Sequence, residues 1–522
     1  MVAKQIAKSV VNVIFVTIML LLFIFSLFYS CQIDQYSYAR LIEVHSPLKY
    51  SLLTALLCVA LIAILMIGSK LQITINQKRI LMICGFVVSV IGICWMLFND
   101  STPRYDQQTL FEEAQKIVGY NLEPYDAQYM IAFKRQRFVV LLMATGMKIF
   151  GNNYLGFRLL NLVGAVLLYV GVCLAVRRIE KDKVVNTFTM IMVAIFYPIV
   201  VYISFLYGTL WSATASVWGF YNVIVWSQGH KTKNAVAIPI WFAIAAAMHQ
   251  SALVAVVAAS IFLCLYGNDT ECSDGTNTIW NRLQKYAIVL ITIIAIVLWG
   301  KMTDCVYEGI TGIQKGDSLP PLATVAMGIT AETEDGGPGA QDGTFFTIYQ
   351  ENDFDASKTN EAAITKIKKA ASEYIHGERS WGFFLEKTKY QWLDPTWGSR
   401  KTIMTNWEEP FNSETFMTFY NSAIRGVIYK CSNILMIAMY FSALVFGIYS
   451  VFAKSIAKEH FLIQIFVCGG FVFSLIWESL SRYCFPYFIW ILIEGICGMN
   501  LMSKKSMELL EKVRTGKLLR EE

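Results

Sequence analysis

The stretch of sequence that decides the fold is VVNVIFVTIMLLLFIFSLFY, residues 10–29. These 20 residues carry no charged side chain, and about 20 apolar residues are needed to cross the ~30 Å hydrocarbon layer of a membrane. No small-residue cleavage site follows the block, so we expect a retained transmembrane helix and not a removed signal peptide. The chain is therefore predicted to be anchored in a membrane from its first helix.

The composition extends this prediction to the whole chain. Of the 522 residues, 56% are hydrophobic and only 16% are charged, and the mean hydropathy is +0.48. A soluble protein carries about 25% charged residues, and its apolar residues form short stripes at helix or strand spacing. Here they form long blocks, which excludes the class of soluble helical proteins.

Eleven apolar blocks predict twelve membrane spans, because one block is long enough for two. That block, residues 235–266, is about 32 residues long and has His249-Gln250 near its middle, which predicts a hairpin of two short helices. The expected fold class is an all-α polytopic membrane protein of about 12 helices. The blocks lie near residues 10–30, 49–68, 80–98, 154–176, 184–206, 209–228, 235–266, 285–303, 432–452, 460–478 and 484–502.

The basic residues predict the orientation of the spans. With Lys4 and Lys8 inside, twelve spans place five basic segments in the cytoplasm, as the positive-inside rule requires. The same count puts a first outer loop at 99–153 and a polar stretch at 304–428 outside, in a plasma-membrane protein whose two ends are cytoplasmic. The formal net charge of +6 is accounted for by these segments, so no nucleic-acid partner is expected. The five basic segments are 70–79, 177–183, 231–233, 454–458 and 504–520.

The first outer loop begins with an acidic residue in front of an amphipathic helix. Pro103 would stop the preceding helix, and Asp106 would then open a segment in which Leu110, Phe111, Ala114, Ile117 and Val118 recur at helical spacing. This pattern predicts a helix on the membrane surface. Asp106 could serve as its N-cap, could face a cavity, or could do both.

Several cations lie on the predicted outer side of the membrane, where the positive-inside rule predicts few. Lys134, Arg135 and Arg137 stand together in the first outer loop, and they suit either an anionic lipid phosphate or bulk headgroups. Arg158 lies inside a predicted span, so it should snorkel, pair with a carboxylate or bind phosphate. Arg482 could pair with Glu478 four residues earlier or meet a phosphate in a cavity.

The twelve cysteines predict neither a metal site nor a redox site. Most of them lie inside apolar blocks, and no CxxC motif or Cys/His cluster has zinc spacing. We therefore expect no metal and no cofactor.

Taken in order, several motifs resemble the bacterial glycosyltransferases of the GT-C fold, in the mannosyltransferase-like branch loosely called family 39, and above all its Gram-positive members. No single motif is specific, but their order covers residues 80–500. The motifs are Tyr105-Asp106 with the helix after it, Lys148-Ile149-Phe150-Gly151 with Phe157-Arg158, a span interrupted at Tyr197-Pro198, Phe205-Leu206-Tyr207-Gly208, Ala326-Met327-Gly328, Lys389 to Pro395, and Glu478-x-x-x-Arg482-Tyr483-x-x-Pro486.

The resemblance implies an inverting transfer of sugar from a polyprenyl-phosphate donor to a glycan, lipid or protein acceptor outside the cytoplasm. Asp106 would be the general base, with Asp100 in reserve, because inversion needs one carboxylate opposite the leaving phosphate. Tyr105, Tyr207, Glu478 and Tyr483 would line the pocket. The cations that would neutralise the donor phosphate are Lys134, Arg135, Arg137, Arg158 and Arg482, with His249 as either a further phosphate contact or a polar turn residue.

The resemblance also divides the chain. Its parts would be an extra N-terminal transmembrane hairpin at 1–78, a GT-C-like core at 79–303, a small extracytoplasmic domain at 304–428, C-terminal helices at 429–503 and a cytoplasmic basic tail at 504–522.

One departure from the family concerns the second acid, and two rival functions remain open. Relatives often carry an acidic residue after Tyr-Gly, but Thr209-Leu210 follows here. Either Asp106 works alone or an acid of the outer domain such as Asp394 contributes.

An O-antigen-type polymerase or ligase would also have a large outer loop, and a flippase or transporter of lipid-linked sugars would show internal repeats and mid-membrane charges. The sequence predicts no oligomeric state.

Overall fold

The computed structural model describes residues 2–33, 39–43, 46–70, 76–99, 101, 103, 105–267, 279–313, 316–333, 336–400, 403, 414–453 and 456–515. Within this part of the chain the fold is almost entirely helical. Two short antiparallel strand pairs are added, β1 (Tyr29–Ile33) with β2 (Ala39–Glu43) and β3 (Glu332–Thr333) with β4 (Gly337–Pro338). The protein is a helical membrane protein.

Eight helices are long and apolar enough to cross a membrane. They are α1 (Val2–Phe28), α2 (Pro47–Lys70), α3 (Gln77–Phe98), α7 (Leu155–Ile179), α13 (Ile279–Thr311), α19 (Ala423–Phe452), α20 (Glu459–Ile476) and α21 (Phe485–Arg514).

The other helices are shorter or less apolar. They are α4 (Asp106–Val118), α5 (Ala127–Ala132), α6 (Arg137–Phe150), α8 (Lys183–Ala194), α9 (Pro198–Val201), α10 (Thr209–Gly229), α11 (Thr232–Met248), α12 (Ala252–Tyr266), α14 (Pro321–Thr330), α15 (Thr344–Glu351), α16 (Ala356–Ile375), α17 (Gly382–Trp392) and α18 (Glu414–Asn421).

The twelve predicted spans correspond to helices, but their number as membrane spans is not established. The segment 183–204 is one span only if α8 and the bent piece that follows it are counted together, and the bend is 42° at Tyr197-Pro198. Counting this pair gives up to nine spans among the described residues. Helices α11 and α12 are shorter apolar helices, so the remaining spans stay a prediction.

The block 235–266 folds as two helices, as predicted, separated at His249-Gln250-Ser251. The His249 end of α11 contacts Tyr207 and Tyr483, with ring centroids 6.0 and 5.4 Å apart. The far end of α12 lies near the start of the chain, where Lys4 Nζ is 5.4 Å from the ring centroid of Tyr266. The chain therefore reverses at His249.

The basic segments meet at one end of the bundle, which we call the basic end. Lys504 Nζ lies 3.0 Å from Asp182 Oδ2, and Lys458 donates to the Ser227 carbonyl over 3.1 Å. Gln77 at the start of α3 donates to the Lys183 carbonyl over 3.2 Å. This grouping agrees with the predicted sidedness, and the membrane face that the basic end occupies stays a prediction.

Three features of the fold bear on the division of the chain and on α4. The predicted outer-domain limits 304 and 428 both fall inside helices, because α13 continues to Thr311 and α19 begins at Ala423. Helices α1 and α2 pack mainly on the C-terminal helices α19, α20 and α21 and less on each other, and the predicted domain division stays a prediction. In α4, Glu113 is buried because that helix also packs on α6.

Candidate active site

The candidate site lies at the end of the bundle opposite the basic end. We call it the Arg482 cluster, and it comprises Asp106, Tyr129, Arg135, Tyr207, His249, Arg482 and Tyr483. Its members come from α4, α5, a 3₁₀ turn at Lys134–Gln136, the loop before α10, the α11–α12 turn and a 3₁₀ turn at Ser481–Tyr483. The site is therefore assembled from six segments spread along the chain.

Arg482 is held among aromatic rings in the turn between α20 and α21. Its guanidinium carbon lies 5.1 Å from the ring centroid of Tyr207, 5.5 Å from that of Tyr483 and 5.8 Å from that of Phe205. The buried Nε has no hydrogen-bond partner, and no carboxylate of the described residues forms a salt bridge with the side chain. A guanidinium stays charged at any physiological pH, so this cation is available to an anionic ligand.

Tyr207 is fixed by its neighbours on both sides. Gln136 donates a hydrogen bond to its hydroxyl, and the N–H of Leu206 donates to Gln107 Oε1 over 2.9 Å, which ties the loop to α4. Burial raises the pKa of the Tyr207 hydroxyl, and the nearby Asp106 charge raises it further. Tyr207 is thus a neutral hydroxyl in a fixed position.

Gly208 allows α10 to begin directly against the end of α11. A Cβ at this position would lie 1.9 Å from the Met248 carbonyl oxygen. This distance is too short for a contact between two non-bonded atoms. The glycine of the Tyr207-Gly208 motif is therefore required by a close backbone approach, and this approach places Tyr207 beside His249.

His249 lies inside the cluster and is more than a polar turn residue. Its Nδ1 accepts from the Ser251 N–H over 3.2 Å and lies 2.8 Å from Ser251 Oγ, so the ring proton is on Nε2. Burial, with the cations Arg482 and Arg135 nearby, lowers the pKa of His249 to about 3. The ring is neutral, and it offers an anion one N–H donor without a charge.

Asp106 is the first residue of α4 and not its N-cap. Tyr105 occupies the cap with a φ of 49°, and its side chain makes no capping hydrogen bond. The helix dipole favours the Asp106 charge in the first turn. The carboxylate lies within hydrogen-bonding reach of the Tyr129 hydroxyl and interacts electrostatically with Tyr207 and Arg482. Asp106 is therefore directed at the Arg482 cluster, and its catalytic role stays a prediction.

The Tyr129 hydroxyl is a hydrogen-bond donor to the Asp106 carboxylate. Burial raises the pKa of the Tyr129 hydroxyl well above its usual value, and the Asp106 charge adds to the shift. The hydroxyl therefore stays protonated, so Asp106 is the acceptor of this pair.

Arg135 is the member of the basic triplet that reaches the cluster. Its guanidinium donates to Gln250 Oε1, beside His249, and its charge acts on both His249 and Tyr207. Lys134, in the same turn, forms no hydrogen bond or salt bridge with another described residue, and its phosphate role stays a prediction.

Arg137 is not available to a phosphate, contrary to the prediction. Its fully buried guanidinium lies 2.9 Å from Asp304 and 2.9 Å from Glu308, and its Nε donates to the Met130 carbonyl over 3.0 Å. Two carboxylates on α13 satisfy this charge, so Arg137 stabilises the packing of α6 on α13.

Arg158 has a structural role, and its predicted phosphate contact stays a prediction. It donates to the Asn99 carbonyl over 2.8 Å and to the Ser101 carbonyl over 3.1 Å. It thereby fixes the end of α3 and the start of the loop that leads to Asp106. Asp100, the reserve base, lies outside the described residues.

Glu478 and Asp394 both accept hydrogen bonds from protein groups. Glu478 accepts from the Tyr483 hydroxyl over 2.7 Å and forms no salt bridge with Arg482, because residues 478–480 are not helical, although its charge acts on that guanidinium. Asp394 is completely buried and accepts hydrogen bonds from the Thr396 N–H and hydroxyl, the Gly398 N–H and the Ser481 hydroxyl. Asp394 therefore orders the turn that carries Arg482.

The sequence prediction missed Gln107, Tyr129, Gln136 and Gln250, each of which holds a member of the Arg482 cluster. Neutral polar residues give no sequence signal of their own. Adjacency to Asp106, Arg135 and His249 is the one signal that could have found three of them. Tyr105 is 65% exposed, and its pocket role stays a prediction.

The comparisons with known proteins give a limited result. No protein-family model and no curated protein matches the chain. Among solved structures, it is similar to the oligosaccharyltransferase AglB of the archaeon Archaeoglobus fulgidus, in complex with an inhibitory peptide and a dolichol-phosphate, at 12% identity and a TM-score of 0.43. The apo form of the Archaeoglobus fulgidus oligosaccharyltransferase gives 12% identity and a TM-score of 0.44. Each match covers 84% of this chain and 52% of the other, so the chain spans about half the length of these proteins.

Proposed function

We propose that this protein is an integral membrane glycosyltransferase that moves a sugar from a polyprenyl-phosphate donor to a glycan, lipid or protein acceptor outside the cytoplasm. The observation that carries the proposal is the presence in one cluster of a carboxylate, Asp106, and a buried guanidinium, Arg482, that forms no salt bridge with a described residue. Such a pair suits a reaction that takes up a proton and releases a phosphate.

The proposed reaction is a single displacement. Asp106 removes the proton from an acceptor hydroxyl, whose oxygen attacks the anomeric carbon of the donor sugar. The bond between that carbon and the phosphate oxygen breaks, and its electron pair leaves with the polyprenyl phosphate. One attack from the face opposite the leaving group inverts the configuration.

The cations of the cluster stabilise the charge that develops on the phosphate. Arg482 and Arg135 neutralise it, and the Nε2–H of His249 adds a neutral donor. Groups fixed in advance in a partly buried site are effective because little reorganisation is needed in the transition state. The aromatic rings around Arg482 keep its guanidinium in place without consuming its charge.

The hydrogen bonds of the other acids favour Asp106 as the single catalytic carboxylate. Glu478 also lies at the cluster, where it accepts from the Tyr483 hydroxyl, and Asp394 is saturated by four donors. A retaining mechanism needs a second carboxylate as nucleophile. The missing acid after Tyr207-Gly208 is therefore compatible with the proposed chemistry.

A polymerase or ligase of the O-antigen type is the second candidate function. Its favouring observation is that two arginines, Arg135 and Arg482, both act on His249 in the same cluster. Such an enzyme relies on paired arginines without the early aspartate, so the two candidates differ in their need for Asp106.

The test begins with the sugar that the protein adds. Surface glycans from a strain lacking the protein are compared in sugar composition with those of the parent, and the missing sugar identifies the donor. Membranes are then incubated with that sugar on radiolabelled polyprenyl phosphate. Asp106→Asn should abolish transfer, whereas Glu112→Gln on the same helix should retain it. Transfer by Asp106→Asn above a few per cent of wild type would exclude Asp106 as the base and favour the ligase.

A further inference from the structure

A second buried polar cluster lies at the basic end, far from the Arg482 cluster. We call it the His460 cluster, and it comprises Glu180, His460, Glu494 and Cys497. Glu180 follows the last residue of α7, His460 stands in the first turn of α20, and Glu494 and Cys497 lie one turn apart on α21. His460 is 3% exposed and Glu494 is completely buried, so the cluster is enclosed by protein.

Three side chains of this cluster present ligand atoms to one point. His460 Nε2 lies 3.1 Å from Glu180 Oε1, and Cys497 Sγ lies 3.6 Å from the same oxygen. The nitrogen, sulfur and oxygen atoms all lie within 4.8 Å of one another. In a tetrahedral zinc site, bonds of ~2.0–2.3 Å separate a nitrogen from an oxygen ligand by about 3.4 Å and a sulfur from an oxygen ligand by about 3.6 Å. The spacing of the three atoms is thus close to that of a zinc site.

Glu494 supplies the outer contact that metal-bound histidines usually have. Its Oε1 lies 2.8 Å from His460 Nδ1, the ring nitrogen opposite Nε2. A carboxylate in this position fixes the ring orientation and directs Nε2 at the metal. The other oxygen, Oε2, is buried without a hydrogen-bond partner. A buried carboxylate oxygen needs a donor, and the side chain of Gln464 lies near Glu494.

We propose that Glu180, His460 and Cys497 bind a zinc ion, with a water in the fourth position. A ligand set of thiolate, imidazole and carboxylate favours zinc over the hard cations magnesium and calcium. Binding releases the thiol proton of Cys497, because the thiolate is the metal ligand. The ion joins the end of α7 and the start of α20 to the middle of α21, and it takes no part in the proposed sugar transfer.

Sequence motifs do not reveal this site, because its ligands are far apart along the chain. Zinc motifs are recognised when ligands fall within short spacings, whereas here they come from residues 180, 460 and 497. The cluster also has a simpler interpretation, in which a protonated His460 pairs with Glu180 and Glu494 and Cys497 has no role. The two interpretations differ in whether the thiol is required.

Metal analysis of the purified full-length protein separates them. Protein prepared in detergent without chelators should contain roughly one zinc per chain by mass spectrometry. Cys497→Ala and His460→Ala should each lose most of the zinc, and Cys468→Ala, at a buried cysteine of α20, should retain it. A zinc-free wild-type protein, or zinc retained in both cluster variants, would overturn the proposal.

A cobalt spectrum of the wild-type protein decides the matter even if a variant does not fold. Exchange of the bound metal for Co²⁺ should produce visible bands of tetrahedral cobalt and a thiolate-to-cobalt charge-transfer band. Bound cobalt without the thiolate band would show that Cys497 is not a ligand and would overturn the proposal. Added Zn²⁺ should also raise the Tm of chelator-treated wild-type protein.

Discussion

The guanidinium carbon of Arg482 lies 5.1 Å from the ring centroid of Tyr207, although the two residues come from opposite halves of the chain. The contact brings the turn before α21 onto the loop before α10. A cation over an aromatic face is attracted by the ring quadrupole and is held in place. The position of the cation in the Arg482 cluster therefore depends on Tyr207, and Tyr207 depends in turn on Gln136 and Gly208.

Replacement of Arg482 should reduce sugar transfer strongly. We expect Arg482→Gln to lose about 100-fold or more, the usual effect of removing one group that stabilises developing negative charge. Arg482→Lys should recover part of the loss because it keeps the charge. Radiolabelled transfer from the polyprenyl-phosphate donor measures both, and Arg379→Gln, between α16 and α17, is the matched control. Equal activity of wild type and Arg482→Gln would remove Arg482 from the site.

Replacement of Arg137 should affect stability before it affects chemistry. Arg137→Gln leaves the Asp304 and Glu308 carboxylates without their cation, and the loss of one partner from a buried ion pair costs about 3 kcal/mol. Thermal unfolding in detergent should therefore occur at a lower temperature. Lys358→Gln, which breaks an exposed 3.4 Å pair with Asp353, should change stability by less than about 1 kcal/mol. If Arg137→Gln were as stable as wild type but bound the donor more weakly, Arg137 would be a phosphate-binding residue after all.

A methyl group at position 208 should disrupt the cluster. In Gly208→Ala the new Cβ would overlap the Met248 carbonyl oxygen, so α10 and the end of α11 must move apart. We expect lower stability and a loss of transfer, because Tyr207 and His249 lose their contact. Gly229→Ala, at the other end of α10 where a Cβ meets no atom within 4 Å, should behave like wild type. Unchanged transfer in Gly208→Ala would show that the close approach is dispensable.

His249 should make the protein sensitive to acid. In the folded state its pKa is about 3, whereas an unfolded histidine has a pKa of about 6.5. Below pH 6.5 the unfolded state binds a proton at His249 and the folded state does not. The free energy of unfolding is therefore highest above this pH and falls as the pH decreases. Between pH 7.5 and pH 5 this contribution amounts to about 2 kcal/mol.

A comparison of Tm at the two pH values checks this expectation. The decrease in Tm between pH 7.5 and pH 5 should be smaller in His249→Asn than in wild type. His376→Asn, at an exposed histidine that follows α16, should leave the decrease unchanged. An equal decrease in wild type and His249→Asn would show that His249 is protonated in the folded protein at pH 5.

Local sequence was sufficient for the features that depend on chain composition. Long apolar blocks predict membrane helices because a helix satisfies its own backbone in hydrocarbon. The break at His249-Gln250 and the bend at Tyr197-Pro198 were visible for the same reason, since polar residues and proline interrupt such helices. The grouping of basic segments at one end also follows from composition. Asp106, Arg135, His249 and Arg482 could therefore be selected as site candidates from their types and positions alone.

Tertiary structure decided which charges are available and which are already paired. Arg135 and Arg137 are two residues apart, yet Arg137 is neutralised by α13 and Arg135 reaches Gln250. Asp394 is saturated by four donors, three of them from its own turn and one from Ser481. The ligand atoms of Glu180, His460 and Cys497 meet only when the ends of α7 and α20 pack against the middle of α21. The sequence determines which groups a chain carries, but the free energy of a buried charge depends on neighbours within a few ångströms, and packing alone selects those neighbours.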